Sequence, residues 1–401
     1  MEMLFSLNLR HLRALPVIAS AGGMGAAAAQ IGLSQPALAQ GLAGLEARLG
    51  VALFERRPGG MVPSPAGALL VARIAAADAR LAAALARTSR RGFNPVNHLA
   101  MAPLRGFLAL ADAGSYADAA GQLALSAPAL HRAVADMERL AGQKLVERRG
   151  RGVVLTAAGR TLARQLRLAV AEYRAGLEAV QPAAGPVRLA VGAMPLSRAR
   201  LLPAALARLL PAWPGVQVDV VEGAWADLVE RLRDGALDVM IGALRDPAPA
   251  DLQQWPLLDD QLAVVARAGH PLAGVAADAA ALAAYPWVVG RAGSPLQAQW
   301  QALFAALPAL PAAPIACGSV MTIRELLLAS DCLTLLSAEQ VRVELAAGLL
   351  ALVPAPLPLP PRRIGAVLRH GWRPSPVQRQ FLAELAGVAG IAGDSTLPFF
   401  E

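Results

Sequence analysis

Apolar residues in the first part of the chain recur at helical spacing, in short blocks punctuated by glycine. The spacing predicts a helix over 9–20, a break at Gly22, a second helix over 24–31 and a three-residue turn before Ser34. Ser34 offers its hydroxyl to the free N–H groups of a third helix, and Pro36 falls in that helix's first turn, where its missing N–H costs nothing. Two helices joined by a tight turn, the second capped by serine, predict a helix-turn-helix. Glu55-Arg56-Arg57, a glycine-rich tip over 58–60 and a short apolar strand then predict a β-hairpin wing. Ser64 caps a long amphipathic helix over 65–89.

The whole series returns 92 positions later. Helices are predicted over 101–112 and 116–123, Ser126 and Pro128 open a third, the tip lies over 150–152, and Thr156 caps a helix over 157–180. Leu12-Arg13 matches Leu104-Arg105, and Ser34-x-Pro36-Ala37-Leu38 matches Ser126-x-Pro128-Ala129-Leu130. Glu46, Gly50, Leu53, Gly60, Val62, Ala66 and Gly67 match Glu138, Gly142, Leu145, Gly152, Val154, Ala158 and Gly159. Identity of that extent at a single offset, from about residue 12 to residue 70, is a duplicated domain. The first copy occupies 1–92 and the second 93–181.

After a hinge from Gln181 to Pro186 the pattern changes. Apolar strands over 187–193, 216–222 and 237–243 alternate with helices over 198–211 and 225–234, which predicts a parallel α/β sheet.

Composition narrows the class. A chain of 401 residues holds two or three domains, and 56% hydrophobic against 16% charged residues argues against disorder over most of it. Two cysteines, Cys317 and Cys332, exclude a disulfide scaffold and fit a reducing cytosol, so the cytoplasm is the expected compartment. They read as buried structural thiols, with a redox switch as the alternative. His11, His98, His131, His270 and His370 are scattered without metal-ligand spacing, and neither a metal nor another cofactor is expected. His270 reads as a turn residue at a lobe crossover. The uncharged stretch between Arg13 and Glu46 imitates a signal peptide or spanning helix, but it is rich in Ala and Gly, contains Pro16 and Pro36, and recurs inside the chain. No membrane association is expected.

Charge is uneven. Residues 1–92 hold 10 basic and 4 acidic side chains, residues 93–181 hold 11 and 7, and the remainder holds 16 and 18. A basic front half with a near-neutral back half predicts a polyanion partner for the front.

The strings Ser34-Gln35-Pro36-Ala37-Leu38, Leu45-Glu46-x-x-Leu49-Gly50-Val51-x-Leu53-Phe54-x-Arg56 and Leu155-Thr156-x-x-Gly159 resemble the winged helix-turn-helix of LysR-type transcriptional regulators. Family members normally carry one such unit; this chain carries two. Further matches lie in Trp213-Pro214-Gly215-Val216, Leu232-x-x-Gly235-x-Leu237-Asp238 and Gly269-His270-Pro271-Leu272, so the resemblance spans about residues 7–388. It implies two tandem winged helix-turn-helix domains, mainly α, followed by an α/β two-lobed, periplasmic-binding-protein-like regulatory domain over 186–390. One lobe would hold about 186–266 and 364–390, the other about 267–350. The implied function is sequence-specific regulation of transcription under control of a small-molecule effector, with double-stranded DNA as partner and a homo-oligomer as the working form.

On DNA, the start of a recognition helix meets base edges and wing arginines meet phosphates. The candidates in copy one are Ser34, Gln35, Pro36, Gln40, Arg56 and Arg57, with Ala39 beside them. In copy two they are Ser126, Pro128, His131, Arg132, Arg148, Arg149 and Arg151, with Ala127 where copy one has Gln35. Arg132 gives copy two the better guanine reader. Pro16, Gly41 and Gly44 fall inside helices of copy one and should weaken it. Copy one is then either a second reading head or a degenerate duplicate that mainly packs. The helices at 65–89 and 157–180 could pair within one chain, making a covalent pseudo-dimer.

Ligands of two-lobed α/β folds sit outside the carboxyl ends of strands, between the lobes. By position the effector candidates are Met194, Leu196, Ser197, Ala224, Trp225, Ser319, Met321 and Thr322. Trp225 stands where the family pattern often has Ser or Thr for a carboxylate, so it points to a flatter, more apolar ligand, or else simply packs. Asp259-Asp260 would face opposite sides of a strand and form no acid/base pair. No Gly-rich phosphate loop and no nucleophile elbow occur, so no enzyme is expected. The alternative to a ligand-controlled regulator is an architectural DNA binder whose α/β half only oligomerises.

Overall fold

The computed structural model describes residues 2–58, 60–88, 93–150, 152–181, 187–355, 357 and 361–391. They form two compact units, one of Met1–Val187 with Arg233–Ala236 and one of the remainder.

In the first unit a short helix α1 (Glu2–Ser6) precedes copy one: α2 (Leu9–Ala21), α3 (Met24–Ile31), α4 (Gln35–Leu49), the hairpin β1 (Phe54–Arg57) and β2 (Gly60–Pro63), and α5 (Pro65–Ala84). Copy two repeats it as α6 (Met101–Ala113), α7 (Tyr116–Leu123), α8 (Ala127–Ala141), β3 (Val146–Arg149), β4 (Gly152–Leu155) and α9 (Ala157–Val180). Ser34 and Ser126 cap α4 and α8 by accepting from Ala37 N and Ala129 N. Leu9, Leu12, Leu15 and Ile18 are buried along one face of α2, and the helix runs unbroken through Pro16.

The residues shared by the two copies hold the scaffold together. Glu46 Oε1 accepts from Leu53 N (2.7 Å) and Glu138 Oε1 from Leu145 N (2.9 Å), tying each recognition helix to its wing. Ser64 Oγ donates to Ala52 O while accepting from Gly67 N; Thr156 Oγ1 does the same with Lys144 O and Gly159 N. Gly22 and Gly114 end their helices in the left-handed region, at φ of 66° in both, and their carbonyls accept from the wing at Met61 N and Val153 N.

Gly41 has a packing reason that offsets its expected cost to the helix. A Cβ there would sit 2.7 Å from the His11 ring, so α2 and α4 meet at that glycine. In copy two the equivalent position is Ala133, and the glycine has moved to the other helix, where a Cβ on Gly106 would lie 2.8 Å from Ala133 Cβ. Each copy therefore keeps one glycine at the crossing, on opposite partners. Gly44 has no such reason: it is exposed with nothing near its missing Cβ. Gly44→Ala is expected to raise stability by about 0.5–1 kcal/mol, and Gly41→Ala to lower it, in denaturant melts of the two variants.

The long helix of copy one ends at Ala84, five residues short of the expected 89. Leu85 is buried, and Thr88 Oγ1 donates to Leu140 O (2.6 Å), which draws the chain off the helix axis onto copy two. The two long helices pack antiparallel on each other, with a Cβ at Gly176 falling 2.9 Å from Leu70 and 3.0 Å from Arg73. Apolar residues of both copies, from Leu4 to Leu177, make one continuous core.

The second unit contains two five-stranded sheets. The first has the order β6 (Gln217–Glu222), β5 (Arg188–Ala193), β7 (Val239–Ala243), β14 (Arg362–Arg369), β8 (Leu252–Asp260), with α10 (Leu201–Leu209), α11 (Trp225–Arg233) and α16 (Pro376–Ala389) among its helices. The second has the order β11 (Ile315–Ala316), β10 (Trp287–Val289), β12 (Leu333–Ser337), β9 (Leu262–Arg267), β13 (Leu350–Val353), with α12 (Ala279–Ala283), α13 (Pro295–Leu303), α14 (Val320–Leu328) and α15 (Arg342–Ala346). The parallel sheet expected of the strands over 187–193, 216–222 and 237–243 is present, β5 pairing parallel with both β6 and β7; beyond that segment β14 is antiparallel to both its neighbours, and β9 likewise. The passage from β8 to β9 lies at Gln261, earlier than the expected 266. Beside it, buried Asp260 accepts from Ser337 Oγ and the Arg362 guanidinium, whereas Asp259 is exposed.

His270 is buried at the turn after β9, away from the lobe crossover. Its Nδ1 accepts from Leu272 N (3.0 Å) and its Nε2 faces Asp331 O (3.3 Å). Burial pushes its pKa below the ordinary 6.5, so the folded state takes up fewer protons than the unfolded chain in acid. Stability from this residue is full above pH 6.5 and is lost as pH falls through the lowered pKa. Thermal melts between pH 8 and pH 5 should fall more steeply for the natural chain than for His270→Asn.

Among the described residues no helix is long and apolar enough to cross a membrane.

Candidate functional site

The starts of α4 and α8 are open to solvent. Gln35, Pro36, Ala39 and Gln40 are exposed in copy one, and Ala127, Pro128, His131 and Arg132 in copy two. Their buried opposite faces, Leu38, Leu42 and Leu45 in α4 and Leu130, Val134 and Met137 in α8, fix which way the exposed residues point. Every position that ties wing to helix is alike in the two copies, whereas the exposed positions differ at Gln35 against Ala127, Ala39 against His131 and Gln40 against Arg132.

His131 is not free-standing. Its ring stacks on Tyr116 at 3.8 Å between centroids and 19° between planes. Tyr116 is the first residue of α7, and sequence reasoning passed over it; an aromatic next to a helix cap was the available signal. Burial, then the Glu138 carboxylate, pushes its phenol above the ordinary value. Glu138 itself lies below the usual carboxylate range: burial raises it, but the Lys144 ammonium at 2.7 Å and the Leu145 and Val146 backbone outweigh that.

On the wings, Arg56, Arg148 and Arg149 are exposed. Arg57 is exposed too but pairs with Glu55 at 2.8 Å, so it presents less free charge than expected. Arg151 lies outside the described residues.

In the second unit the effector candidates fall into three places. Met194 and Trp225 pack together against the apolar cluster of Leu228, Leu232 and Met240, with the Arg245 guanidinium over the Trp225 ring at 4.8 Å. Ala224, just before Trp225, is exposed and donates its N–H to Asp227 Oδ2. Leu196 and Ser197 line a small cavity of about 30 Å³ with Arg200, Leu258, Glu339 and Ile364. Ser197 is buried there and donates to Met194 O (2.8 Å), while Arg200 pairs with Glu339 at 3.4 Å. Ser319, Met321 and Thr322 lie at the start of α14 in the other lobe, all exposed, and the Ser319 hydroxyl is engaged in capping Thr322 N. That cavity does not include them. Arg245, Arg200 and Glu339 went unnoticed in the sequence, because only the fold brings them beside Trp225 and Ser197. Cys332 is buried, but Cys317 is partly exposed, a correction to the expected pair of buried thiols.

Comparison with known proteins covers both units. Residues 9–68 and 101–160 each match the family model described as bacterial regulatory helix-turn-helix protein, lysR family, and residues 181–390 match the LysR substrate binding domain. The HTH-type transcriptional regulator GalR of Pseudomonas putida is 33% identical over 383 residues, covering 94% of this chain and 96% of that protein. The SDS degradation transcriptional activation protein of a Pseudomonas species is 37% identical over 265 residues, 62% of this chain and 83% of that one. Among solved structures, a full-length OxyR variant from Pseudomonas aeruginosa aligns with a TM-score of 0.57 at 24% identity, covering 74% of this chain and 96% of that one. The first of these relatives matches through both copies of the repeat; the other two span less of the chain.

Proposed function

The chain belongs to the LysR family of transcriptional regulators, and on that premise we propose that a single chain carries two unequal reading heads for one two-part DNA site, under control of an effector held between the lobes of its C-terminal domain. The observation that carries this reading is the division of labour in the repeat. The ties between wing and helix keep the same chemistry in both copies, at Glu46 and Glu138, Ser64 and Thr156, and Gly67 and Gly159, whereas the exposed positions that would meet base edges differ at Gln35 against Ala127, Ala39 against His131 and Gln40 against Arg132. A decaying duplicate loses both kinds of residue alike; copy one keeps its cap at Ser34, its Glu46 tie and its glycine crossing.

In copy one Gln35 and Gln40 would read bases, Ser34 and Pro36 would set the helix start, and Arg56 and Arg57 would meet phosphates. In copy two Arg132 would read guanine, His131 would be held for contact by Tyr116, Ser126 and Pro128 would set the helix start, and Arg148, Arg149 and Arg151 would meet phosphates. In the C-terminal domain Met194, Leu196, Ser197, Ala224 and Trp225 would line one wall of the effector site and Ser319, Met321 and Thr322 the other. Trp225 under Arg245 suits a flat, largely apolar molecule. The protein would act in the cytoplasm.

Selection of tight-binding duplexes from a random library by the full chain tests this. The expected product is a two-part sequence with dissimilar halves. Enrichment of a perfect palindrome would overturn the unequal heads, and binding without enrichment, steeply weakened by salt, would support an architectural binder.

A further inference from the structure

The 92-residue repeat gives the α5–α9 pair an approximate two-fold axis, so each contact across it has a counterpart found by moving one residue forward and the other back by 92. Arg73 Nη1 pairs with Glu172 Oε2 at 2.9 Å, both largely buried; the counterpart of that pair is Gln165 with Arg80. Tyr173 Oη donates to Asp78 Oδ1 at 2.8 Å, and Asp78 also accepts from Arg13 Nε at 2.9 Å; the counterpart of Asp78 and Tyr173 is Val170 with Leu81. Among the described contacts, the Arg73–Glu172 ion pair and the Tyr173–Asp78 hydrogen bond therefore lie on one side of the axis, and their counterpart positions carry no matching acid–base or hydroxyl–carboxylate pair. Burial raises the pKa of Asp78 and of Tyr173, which marks this side as desolvated.

We infer that Arg73, Asp78, Glu172 and Tyr173 are a pairing code that makes α5 choose α9 of its own chain and refuse α5 or α9 self-pairing with a second chain. Superposing the same geometry on two α5 helices sets Arg73 against Arg80 twice and buries Asp78 against Leu81 twice. Two α9 helices would leave Glu172 against Gln165, a buried carboxylate without its cation, and Tyr173 against Val170. Only α5 with α9 satisfies every one of these groups, and one chain contains both. The code by itself excludes only self-pairing; the α9 that meets it here is that of the same chain, packed on α5 in one continuous core, so assemblies of several chains would use other surfaces. The inference rests on the two-headed reading of the first unit but concerns how the heads are joined, not what they bind.

The test is charge exchange in the full chain. Arg73→Glu and Glu172→Arg are each expected to lower the melting temperature of the first unit, on the order of 10 °C, and the double variant to recover at least half of that loss. Coexpressing the two single variants as separate chains is expected to recover nothing, because the partners lie in the same chain. Recovery in the mixture would show pairing between chains and overturn the inference, as would no recovery in the double variant. If the reversed charges prevent folding, Arg73→Gln and Glu172→Gln with their double variant replace them; a double loss equal to the sum of the single losses would then count against the code. Each readout is stability, so failure to find a two-part DNA site would leave it standing, and its failure would leave the DNA reading intact.

Discussion

Replacing Gly159 by alanine is expected to destabilise the first unit by about 3 kcal/mol, at the upper end of overpacking costs, and to weaken DNA binding with it. A Cβ at Gly159 would lie inside the van der Waals shell of Leu145 O, and one at Gly67 would do the same to Leu53 O. Both obstacles are backbone, which cannot swing aside as a side chain does. The displaced segment leads straight into the wing, since Leu145 N is held by Glu138 and Lys144 O by Thr156. Relief therefore has to move the hairpin or the start of α9. Denaturant unfolding would show the loss for Gly67→Ala and Gly159→Ala alike, with Gly44→Ala moving the other way as a control. A loss below about 0.5 kcal/mol, the range of ordinary surface changes, would mean that the strand-to-helix junction is not the rigid joint described.

The second large effect is expected at Arg132. Its replacement by alanine should cost roughly tenfold to a hundredfold in affinity for the selected site, the range of one bidentate contact to guanine at about 1–3 kcal/mol. Specificity should relax at one base pair in one half only. Arg148→Ala should act differently, weakening all sequences alike and lowering the salt slope by about one. Fluorescence anisotropy on the selected duplex and on singly mismatched duplexes separates the two. Arg132 is suited to the role because it is exposed on the open face of α8, opposite Leu130 and Met137. Uniform loss across all duplexes for Arg132→Ala would make it a phosphate contact and take the base-reading role from it.

Much of this was legible in the chain because it is local. The helix starts at Ser34 and Ser126, the wings, and the helix over 157–180 follow from caps, glycines and spacing that act within a few residues. The repeat then turned local patterns into a domain boundary. What was not legible depends on residues far apart in sequence. Gly41 looked like a defect because the His11 ring that needs it lies 30 positions away, on another helix. The early end of α5 is set by Thr88 reaching Leu140. The antiparallel strands β9 and β14 lie beyond the alternating segment and pair with strands far from them in sequence, as β14 does with β7 and β9 with β13, which alternation of strand and helix cannot reveal. Tyr116 beneath His131, and Arg245 above Trp225, are likewise products of the fold.

The pairing of α5 with α9 was the step for which sequence supplied only a possibility. Two amphipathic helices of similar pattern are compatible with pairing in one chain or between two. The asymmetry that decides it, Arg73 with Glu172 on one side and Gln165 with Arg80 on the other, acquires meaning only once the register is known. The same asymmetry gives the two heads a fixed mutual arrangement within the first unit, through one continuous core.

Hydroxyl-radical footprinting on the selected duplex, with Gln35→Ala and Arg132→Ala beside the natural chain, tests the central claim most directly. Two protected segments are expected, with their centres about one helical turn or a multiple of it apart, Gln35→Ala losing one of them and Arg132→Ala losing the other. Protection that both variants weaken equally over its whole length, or that Gln35→Ala leaves untouched, would contradict two working heads in one chain.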